Sequence, residues 1–332
     1  MGNETTRMDC VGLFTAGRVG FFDTHRNLVE SSNKFGFNSV FDGGPYWGQA
    51  ITRCIQNALN APLINSVVDA SGAEIFFSHS EGEAKAFLAQ GSNATCALIK
   101  RPAKYLLFFD GDSIWTHDDL ARLYQIIDQS TYCGKDIDAV WPTQADRHGN
   151  KPLCYNWAAP ALSYDHSSPI MQHPHGHFGC TFIRREVFTK LPHPWFWGQP
   201  GKAGTWEMNE ANPGKMDDDT YFWMKFTQAG FMGCVANQTV IGHMQNGIRW
   251  QVGPKVIWQR LQDYYMHGKP YGARAPLPSE YPEKNPTSVS TYPGEFDDPT
   301  APKSPIIGTI SPAGVPIGTA ECSNHAPPEI VK

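Results

Sequence analysis

The sequence lacks several patterns that would have decided its class at once. No apolar run approaches the roughly 18 residues that a membrane-spanning helix needs, and Met1–Asp9 has no apolar stretch of the secretory kind. We therefore expect a cytoplasmic protein with no membrane span. The eight cysteines include no C-x-x-C pair, which argues against a zinc ribbon or a dithiol redox centre and predicts reduced core cysteines.

Basic charge and glycine-rich phosphate loops are also scarce. The chain carries 27 Lys and Arg against 32 Asp and Glu, a net charge of −5, so no global positive field attracts nucleic acid or anionic membrane. The segment Ala16–Gly20 is only a weak version of a phosphate-binding loop. Proline, in contrast, is concentrated at one end: it makes up twelve of the sixty residues from Ala273 onward, which predicts an irregular tail over 273–332.

What the sequence does contain is an alternation of apolar runs with segments of helical spacing. Strands are predicted at Cys10–Thr15, Phe37–Phe41, Ala73–Phe77, Tyr105–Phe109 and Ile137–Trp141. Helices are predicted from Asp23 to Lys34, Gln49 to Leu59 and Glu81 to Gln90, and after Thr116, where Thr116–Asp119 resembles a capping box. A last amphipathic helix is predicted over Pro254–Tyr265. This order predicts an α/β fold with a mostly parallel sheet flanked by helices. Pro142 is expected to end the fifth strand.

Two carboxylates close the most apolar of these strands. Five uninterrupted apolar residues, Tyr105–Phe109, run directly into Asp110, Gly111 and Asp112. A run without alternation is typical of a strand buried on both faces, and ligands of open α/β sheets bind at the carboxyl ends of strands. Oxygen ligands favour Mg²⁺ or Mn²⁺, so the motif predicts a metal site. A solvated surface turn is the alternative.

A histidine and a second acidic cluster lie far along the chain. His243 ends the apolar run Val240–Gly242, and a nitrogen ligand beside two carboxylates would favour Mn²⁺; an ordinary core histidine is the alternative. Asp217–Asp219 precede a predicted helix. Acids are stabilised there by the helix dipole, but crowding of three like charges raises the pKa of at least one, which suits a general base.

Two further segments have open interpretations. His173, His175 and His177 alternate, and we favour a substrate-lining loop over a zinc site because no cysteine pair accompanies them. Trp195–Trp197 form an aromatic run that either stacks on a sugar or fills the core.

Taken together these motifs resemble a GT-A fold glycosyltransferase of the family 2-like group found in bacteria and bacteriophages. The resemblance covers about residues 9–250. It depends on a helix carrying Arg53 and Asn57 and on motifs in this order: YLLFFDGDSIW at 105–115, AVWPTQ at 139–144, FGCTFIRREVFTKLPHPWF at 178–196, DDDTYFWMKFTQAGF at 217–231 and VIGHM at 240–244.

The resemblance implies a Rossmann-like domain over 1–250, with a donor half at about 9–145 and an acceptor half at about 146–250. The last predicted helix is assigned to a C-terminal segment at 251–272. The resemblance assigns the metal to Asp110, Asp112 and His243, and donor binding to Thr15, Ala16, Gly17, Arg18, Arg53, Asp110 and Gly111. Asp219 matches the catalytic base of inverting members, with Asp218 beside it. An aspartate replaces the usual glutamate at 218, which leaves a retaining outcome open.

The implied reaction moves a sugar from a nucleoside diphosphate, with UDP as the expected nucleotide, onto an acceptor hydroxyl. The acceptor is a glycan, a small molecule or a hydroxymethylated DNA base, and the acidic balance argues against DNA. Two alternatives remain: a sugar-nucleotide nucleotidyltransferase, and a non-catalytic carbohydrate-binding protein of the same fold.

Overall fold

The computed structural model describes residues 7–16, 22–43, 46–60, 64–90, 96–145, 152–153, 168–206, 213–244, 247–252 and 255–273. The strands are β1 Cys10–Ala16, β2 Asn38–Gly43, β3 Ile64–Val68, β4 Glu74–Ser78, β5 Ala97–Arg101, β6 Tyr105–Asp110, β7 Ser113–Ile114, β8 Thr131–Tyr132, β9 Lys135–Asp136, β10 Ala139–Gln144, β11 Ile170–Gln172, β12 Cys180–Arg184, β13 Gly233–Met244, β14 Ile248–Val252 and β15 Lys255–Gln259. The helices are α1 Phe22–Phe35, α2 Trp47–Asn60, α3 Glu81–Gln90, α4 His117–Gln129, α5 Arg185–Lys190, α6 Asp218–Gln228 and α7 Leu261–His267.

The central sheet is mixed, not mostly parallel as the alternation predicts. Its order is β15-β14-β13-β10-β12-β6-β1-β2. Neighbours β2, β1 and β6 are parallel, and so are β10 and β13, but β12 runs antiparallel between β6 and β10. The α/β class is confirmed. The boundary between a donor half and an acceptor half stays a prediction, because strands of both halves share this one sheet.

Helices cover the two faces of the sheet, and side chains of β1 and β6 alternate between them. Val11 and Phe108 pack on the face that carries α2, α5 and α6. Cys10 and Phe109 pack on the opposite face, against α1 and α4. The run Tyr105–Phe109 is buried throughout, as predicted from its lack of polar residues.

The start of α4 confirms a local prediction in full. Thr116 is the N-cap, its side chain accepts a hydrogen bond from the backbone N–H of Asp119, and the Asp119 carboxylate accepts one from the Thr116 backbone. This reciprocal capping box fixes where the chain turns into a helix after the carboxylate motif.

Two boundary predictions were wrong. Pro142 does not end its strand, because β10 continues to Gln144. The pairing with β13 shifts in register between Pro142 and Thr143, which accommodates the backbone N–H that proline lacks. The predicted last helix over Pro254–Tyr265 is instead strand β15 followed by the short helix α7. Strand β15 pairs with β14, and its tertiary pairing outweighs helical spacing in a short segment.

A separate three-stranded sheet, β4-β3-β5, follows α2. The sequence predicts its strand β4 and helix α3 but not β3 or β5, although all three strands are five residues long. Strands this short carry little periodicity.

The cysteine prediction was wrong at one position. Cys133 is disulfide-bonded, whereas Cys10, Cys54, Cys96, Cys180 and Cys234 are free. No helix within the described residues is long and apolar enough to cross a membrane. The proline-rich tail beyond Ala273, and Gly17 and Arg18, lie outside the described residues.

Candidate active site

Parallel pairing brings several predicted site residues to one edge of the sheet. Thr15 lies opposite Asp42 on one side and opposite Asp110 on the other, and Ala16 lies opposite Gly43. Each is at or next to the end of its strand, where an open α/β sheet binds ligands. Thr15 is buried, and its hydroxyl oxygen has no hydrogen-bond partner in the described structure. A buried hydroxyl without a partner is costly, so this edge is suited to a polar ligand.

Arg53 reaches the same edge from α2. Its guanidinium donates from Nε to Asp42 Oδ2 at 2.6 Å, and from Nη2 to Asp42 Oδ1 at 2.9 Å and to the Gly43 carbonyl at 3.1 Å. The bidentate hydrogen bonding lowers the pKa of the Asp42 carboxyl. Arg53 is therefore placed beside Thr15 and Ala16, as predicted, but with a carboxylate partner.

A short strand pairing joins Asp112 to His243 across 131 positions of sequence. Ser113 of β7 lies opposite His243 of β13, and the Met244 N–H donates to the Asp112 carbonyl at 2.7 Å. Gly242 permits this approach, since a Cβ there would lie 2.3 Å from Ile248 and 2.6 Å from Ile114. The Nε2 of His243 consequently lies 3.3 Å from Asp112 Oδ2.

The hydrogen bonds of His243 determine what that contact can be. Its Nδ1 lies 2.7 Å from the Ala145 carbonyl oxygen, which can only accept, so Nδ1 carries the proton. In the neutral ring the Nε2 lone pair then faces a carboxylate oxygen, and two acceptors repel unless a proton or a cation lies between them. Metal-bound histidines are typically oriented in this way by a carbonyl at the other ring nitrogen.

The pair fits a divalent cation. Neighbouring ligands at right angles around an ion with bonds of about 2.1 Å lie about 3 Å apart, close to the 3.3 Å between His243 Nε2 and Asp112 Oδ2. Across the described residues no group of three His, Cys, Asp or Glu side chains is close enough to hold a metal. Asp110, at the end of the adjoining strand, thus stays a predicted third ligand.

The Asp217–Asp219 cluster begins α6 and packs against the start of α2. Asp218 accepts a hydrogen bond from the Gly48 backbone, and burial raises the pKa of its carboxyl. Asp217 instead pairs with Lys215 Nζ at 3.0 Å.

The surroundings of Asp219 suit a base. Burial raises the pKa of its carboxyl, and the charge of Asp217 adds to that rise against a hydrogen bond from the Thr220 N–H. A carboxylate with a raised pKa holds a proton more readily, which is the property the sequence predicts for Asp219.

The segment 176–179 lies between the Asp112–His243 pair and the Asp217–Asp219 cluster. Gly179 lies against Ser113 and Gln144, beside the Asp112–His243 pair. The neighbouring Phe178 ring contacts Trp47 at the start of α2 and Phe222 on α6. Both groups therefore border one short stretch of chain at the same side of the sheet.

The histidine prediction was wrong for two of its three residues. His173 and His177 are buried. His177 Nδ1 accepts from the Gly179 N–H while its Nε2 bonds the Pro142 carbonyl, and burial lowers the pKa of His177 to about 4. This neutral ring bonds the 176–179 segment to strand β10.

Comparison with known proteins adds little. No family model matches the chain, and no curated protein matches it. Among solved structures it is similar to "Crystal Structure of A197 from STIV", with 14% sequence identity, a TM-score of 0.42, and coverage of 76% of this chain and 95% of that one. A TM-score of 0.42 carries no argument about a shared fold or activity.

Sequence reasoning missed two residues at this edge. Asp42 lies one residue before the end of β2, much as Asp110 lies at the end of β6, and a carboxylate at a strand exit was the available signal. Gln144 donates to Ser113 Oγ at 2.9 Å and to the Gly242 carbonyl at 3.2 Å, which holds β7 and β13 together. No signal indicated it, because Pro142 was expected to end the strand earlier.

Proposed function

We propose that the chain is a metal-dependent glycosyltransferase of the GT-A type, which moves a sugar from a nucleoside diphosphate, with UDP as the expected nucleotide, onto an acceptor hydroxyl. The observation that carries this proposal is the contact between His243 Nε2 and Asp112 Oδ2 at the carboxyl edge of the sheet. Mn²⁺, or Mg²⁺ in its place, would be held by Asp112 and His243, with Asp110 as the expected third ligand.

The metal would supply Lewis acidity to the departing diphosphate. The chain's own groups would orient the donor: Thr15 and Ala16 with the adjoining Gly17 and Arg18 at the nucleotide, and Arg53 and the Gly111 backbone at the phosphates. The unpartnered Thr15 hydroxyl and the position of Arg53 at the same edge support these roles.

Asp219 is proposed as the general base. In the transfer step the bond from the anomeric carbon to the diphosphate oxygen breaks, the acceptor oxygen forms the new bond to that carbon, and the acceptor proton passes to the Asp219 carboxylate. Asp218 would keep Asp219 in position, since it anchors the start of α6 to Gly48. The raised pKa of Asp219 supports proton acceptance.

The test is a turnover assay with purified protein, a panel of nucleotide sugars and Mn²⁺. We expect metal-dependent release of nucleoside diphosphate that chelation removes. Release of pyrophosphate instead would indicate a nucleotidyltransferase, and sugar affinity without any metal-dependent turnover would indicate a carbohydrate-binding protein.

The base is tested separately by Asp219→Asn. We expect donor affinity to stay within about twofold while transfer slows by at least about 100-fold. Unchanged transfer by this variant would exclude Asp219 as the base but would leave the metal site untouched.

A further inference from the structure

A cavity of about 420 Å³ lies beside the start of α6, lined by Pro194, Trp197, Gln199, Met216, Tyr221 and Met224. Sequence analysis left the Trp195–Trp197 run open between sugar stacking and core filling. Trp195 and Phe196 are buried, whereas Trp197 is 54% exposed. Only the third residue of the run therefore offers its ring to a ligand.

A second exposed tryptophan lies beside Gly198, the residue between Trp197 and Gln199 of the cavity lining. Trp206 is 56% exposed, and its indole lies beside Gly198, where an added Cβ would be 3.2 Å from the ring and 2.9 Å from Asp218 Oδ1. Trp197 and Trp206 are the exposed tryptophans among the described residues, and both adjoin Gly198. Two exposed indoles at one place on a surface are typical of a binding site.

Hydrogen bonds on both sides order the backbone that carries Trp197. Gln199 and Met216 exchange two backbone hydrogen bonds, and the Lys202 N–H donates to the Pro213 carbonyl. On the other side, Lys225 of α6 donates to the carbonyls of Pro192 and Pro194. An ordered aromatic surface loses little conformational entropy on binding.

The charges beside the cavity restrict what can occupy it. Asp217 and Asp218 precede Tyr221 by four and three positions, so they lie on the same face of α6 one turn away. Asp217 is paired with Lys215, and Lys225 Nζ lies 5.4 Å from the centre of the Tyr221 ring. The local charges are therefore balanced, with no excess of positive charge that would attract a polyanion such as DNA or an acidic lipid. A neutral ring with one apolar C–H face and several hydroxyls fits both the indoles and the carboxylate acceptors.

We propose that this aromatic surface, formed by Trp197, Trp206 and Tyr221, binds the acceptor and that the acceptor is a neutral glycan. The proposal names the acceptor class of the transferase and rests on the proposed function. The C–H faces of successive sugar rings stack on the indoles, and the hydroxyl at the end of the glycan points toward the start of α6, where Asp219 lies.

The test is calorimetric titration of the full chain, without donor, with neutral hexasaccharides of glucose and of N-acetylglucosamine. We expect at least one to bind, Trp197→Ala and Trp206→Ala each to weaken binding about tenfold, and Trp197→Phe to weaken it less because an aromatic face remains. Ile75→Ala, a 47% exposed apolar residue of β4, is the matched control and should bind as the wild type does.

Three results would overturn the proposal: no hexasaccharide binds, binding is unchanged in both alanine variants, or a single-stranded DNA or a basic peptide binds through these tryptophans instead. A second readout separates this inference from the proposed function. With Mn²⁺ and donor, the ratio of transfer to donor hydrolysis should fall about tenfold in Trp197→Ala. If glycans bind through the tryptophans but the donor is not turned over, only the transferase proposal is refuted. If the donor is turned over and the transfer ratio does not change in the tryptophan variants, only the acceptor site is refuted.

Discussion

Asp9 and Asp112 lie at opposite edges of the same sheet, and their partners differ in kind. Asp9, directly before β1, is fully buried. Its carboxylate accepts from Arg101 Nη1 and from the Lys104 N–H, each at 3.0 Å, with Arg101 Nη2 2.8 Å from its second oxygen. Asp112 instead faces a histidine nitrogen that is itself an acceptor in the neutral ring.

The difference separates a structural carboxylate from one suited to chemistry. A buried charge is tolerated when donors and an opposite charge match it, and Asp9 has both from its own chain. The contact between Asp112 and His243 is favourable only when a proton or a cation lies between the two acceptor atoms. Substitutions at the two edges should therefore affect different measurements.

The largest effect is expected for Asp112→Asn. The asparagine amide can donate to His243 Nε2, so the variant should melt within a few degrees of the wild type, while turnover falls at least about 100-fold and the stabilisation by Mn²⁺ is lost. Thermal unfolding with and without Mn²⁺, together with the diphosphate assay, measures both.

The control for that substitution is Asp136→Asn. Asp136 lies before β10, at the amino edge of the parallel strands, and its side chain is 72% exposed. We expect it to retain both turnover and the metal-induced shift. A wild-type metal response in Asp112→Asn would remove the Asp112–His243 pair from the mechanism.

The next largest effect is expected for Arg101→Met at the opposite edge. This variant leaves the buried Asp9 carboxylate without its guanidinium, which should cost about 3 kcal/mol of unfolding free energy in urea titrations. Arg7→Met removes an exposed pair with Glu83 and should cost about 0.5 kcal/mol. We expect turnover per folded molecule to be unchanged in both variants. An equal loss of unfolding free energy in the two would show that burial does not distinguish the Asp9 pair from an exposed one.

The sequence could predict features that local spacing determines, but not features that depend on how the strands pair. Strand β6, helix α3 and the capping box of α4 follow from local spacing, and the structure has them. The direction of β12 does not, because an apolar run reads the same for parallel and antiparallel neighbours. The Asp112–His243 contact depends on β7, a strand of two residues, and such a pairing is specified by the packed sheet and leaves no local pattern.

Exposure within the aromatic run was equally beyond reach from sequence. Phe196 packs on Trp47 and Phe222, whereas Trp197 next to it is exposed. The three residues belong to neither a helix nor a strand of the described structure. Without helical or strand periodicity, a run of three aromatics gives no indication of which ring turns outward.

A smaller effect, on the free energy of unfolding, is expected for Asp219→Asn. Because the folded pKa of Asp219 is raised above its ordinary value, ionisation at neutral pH costs the folded state free energy. The variant should therefore be more stable than the wild type near pH 7. This gain should fade as the pH falls through the folded pKa toward the ordinary value, where both states are protonated.

The neighbouring Asp217→Asn is the matched control. Asp217 pairs with Lys215, whose side chain is only 14% exposed, so its removal should destabilise the protein slightly. Urea titrations at a series of pH values between 4 and 7 distinguish the two. A gain for Asp219→Asn that grows as the pH falls would contradict the raised pKa.

A small effect on stability is expected for Arg53→Met, which has the same kind of bidentate pair as Arg101 but in an exposed setting. The side chains of Arg53 and Asp42 are 47% and 21% exposed, so solvent screens the pair and its contribution to stability should be small. Since the hydrogen bonds from Arg53 lower the Asp42 pKa, this contribution is present above the ordinary pKa and is lost as the pH falls through the lowered value. If Arg53 also contacts the donor phosphates, KM for the nucleotide sugar should rise about tenfold while kcat changes little. A variant with unchanged KM would show that Arg53 only supports β2. The carboxyl edge would then contain a purely structural ion pair, as the amino edge does.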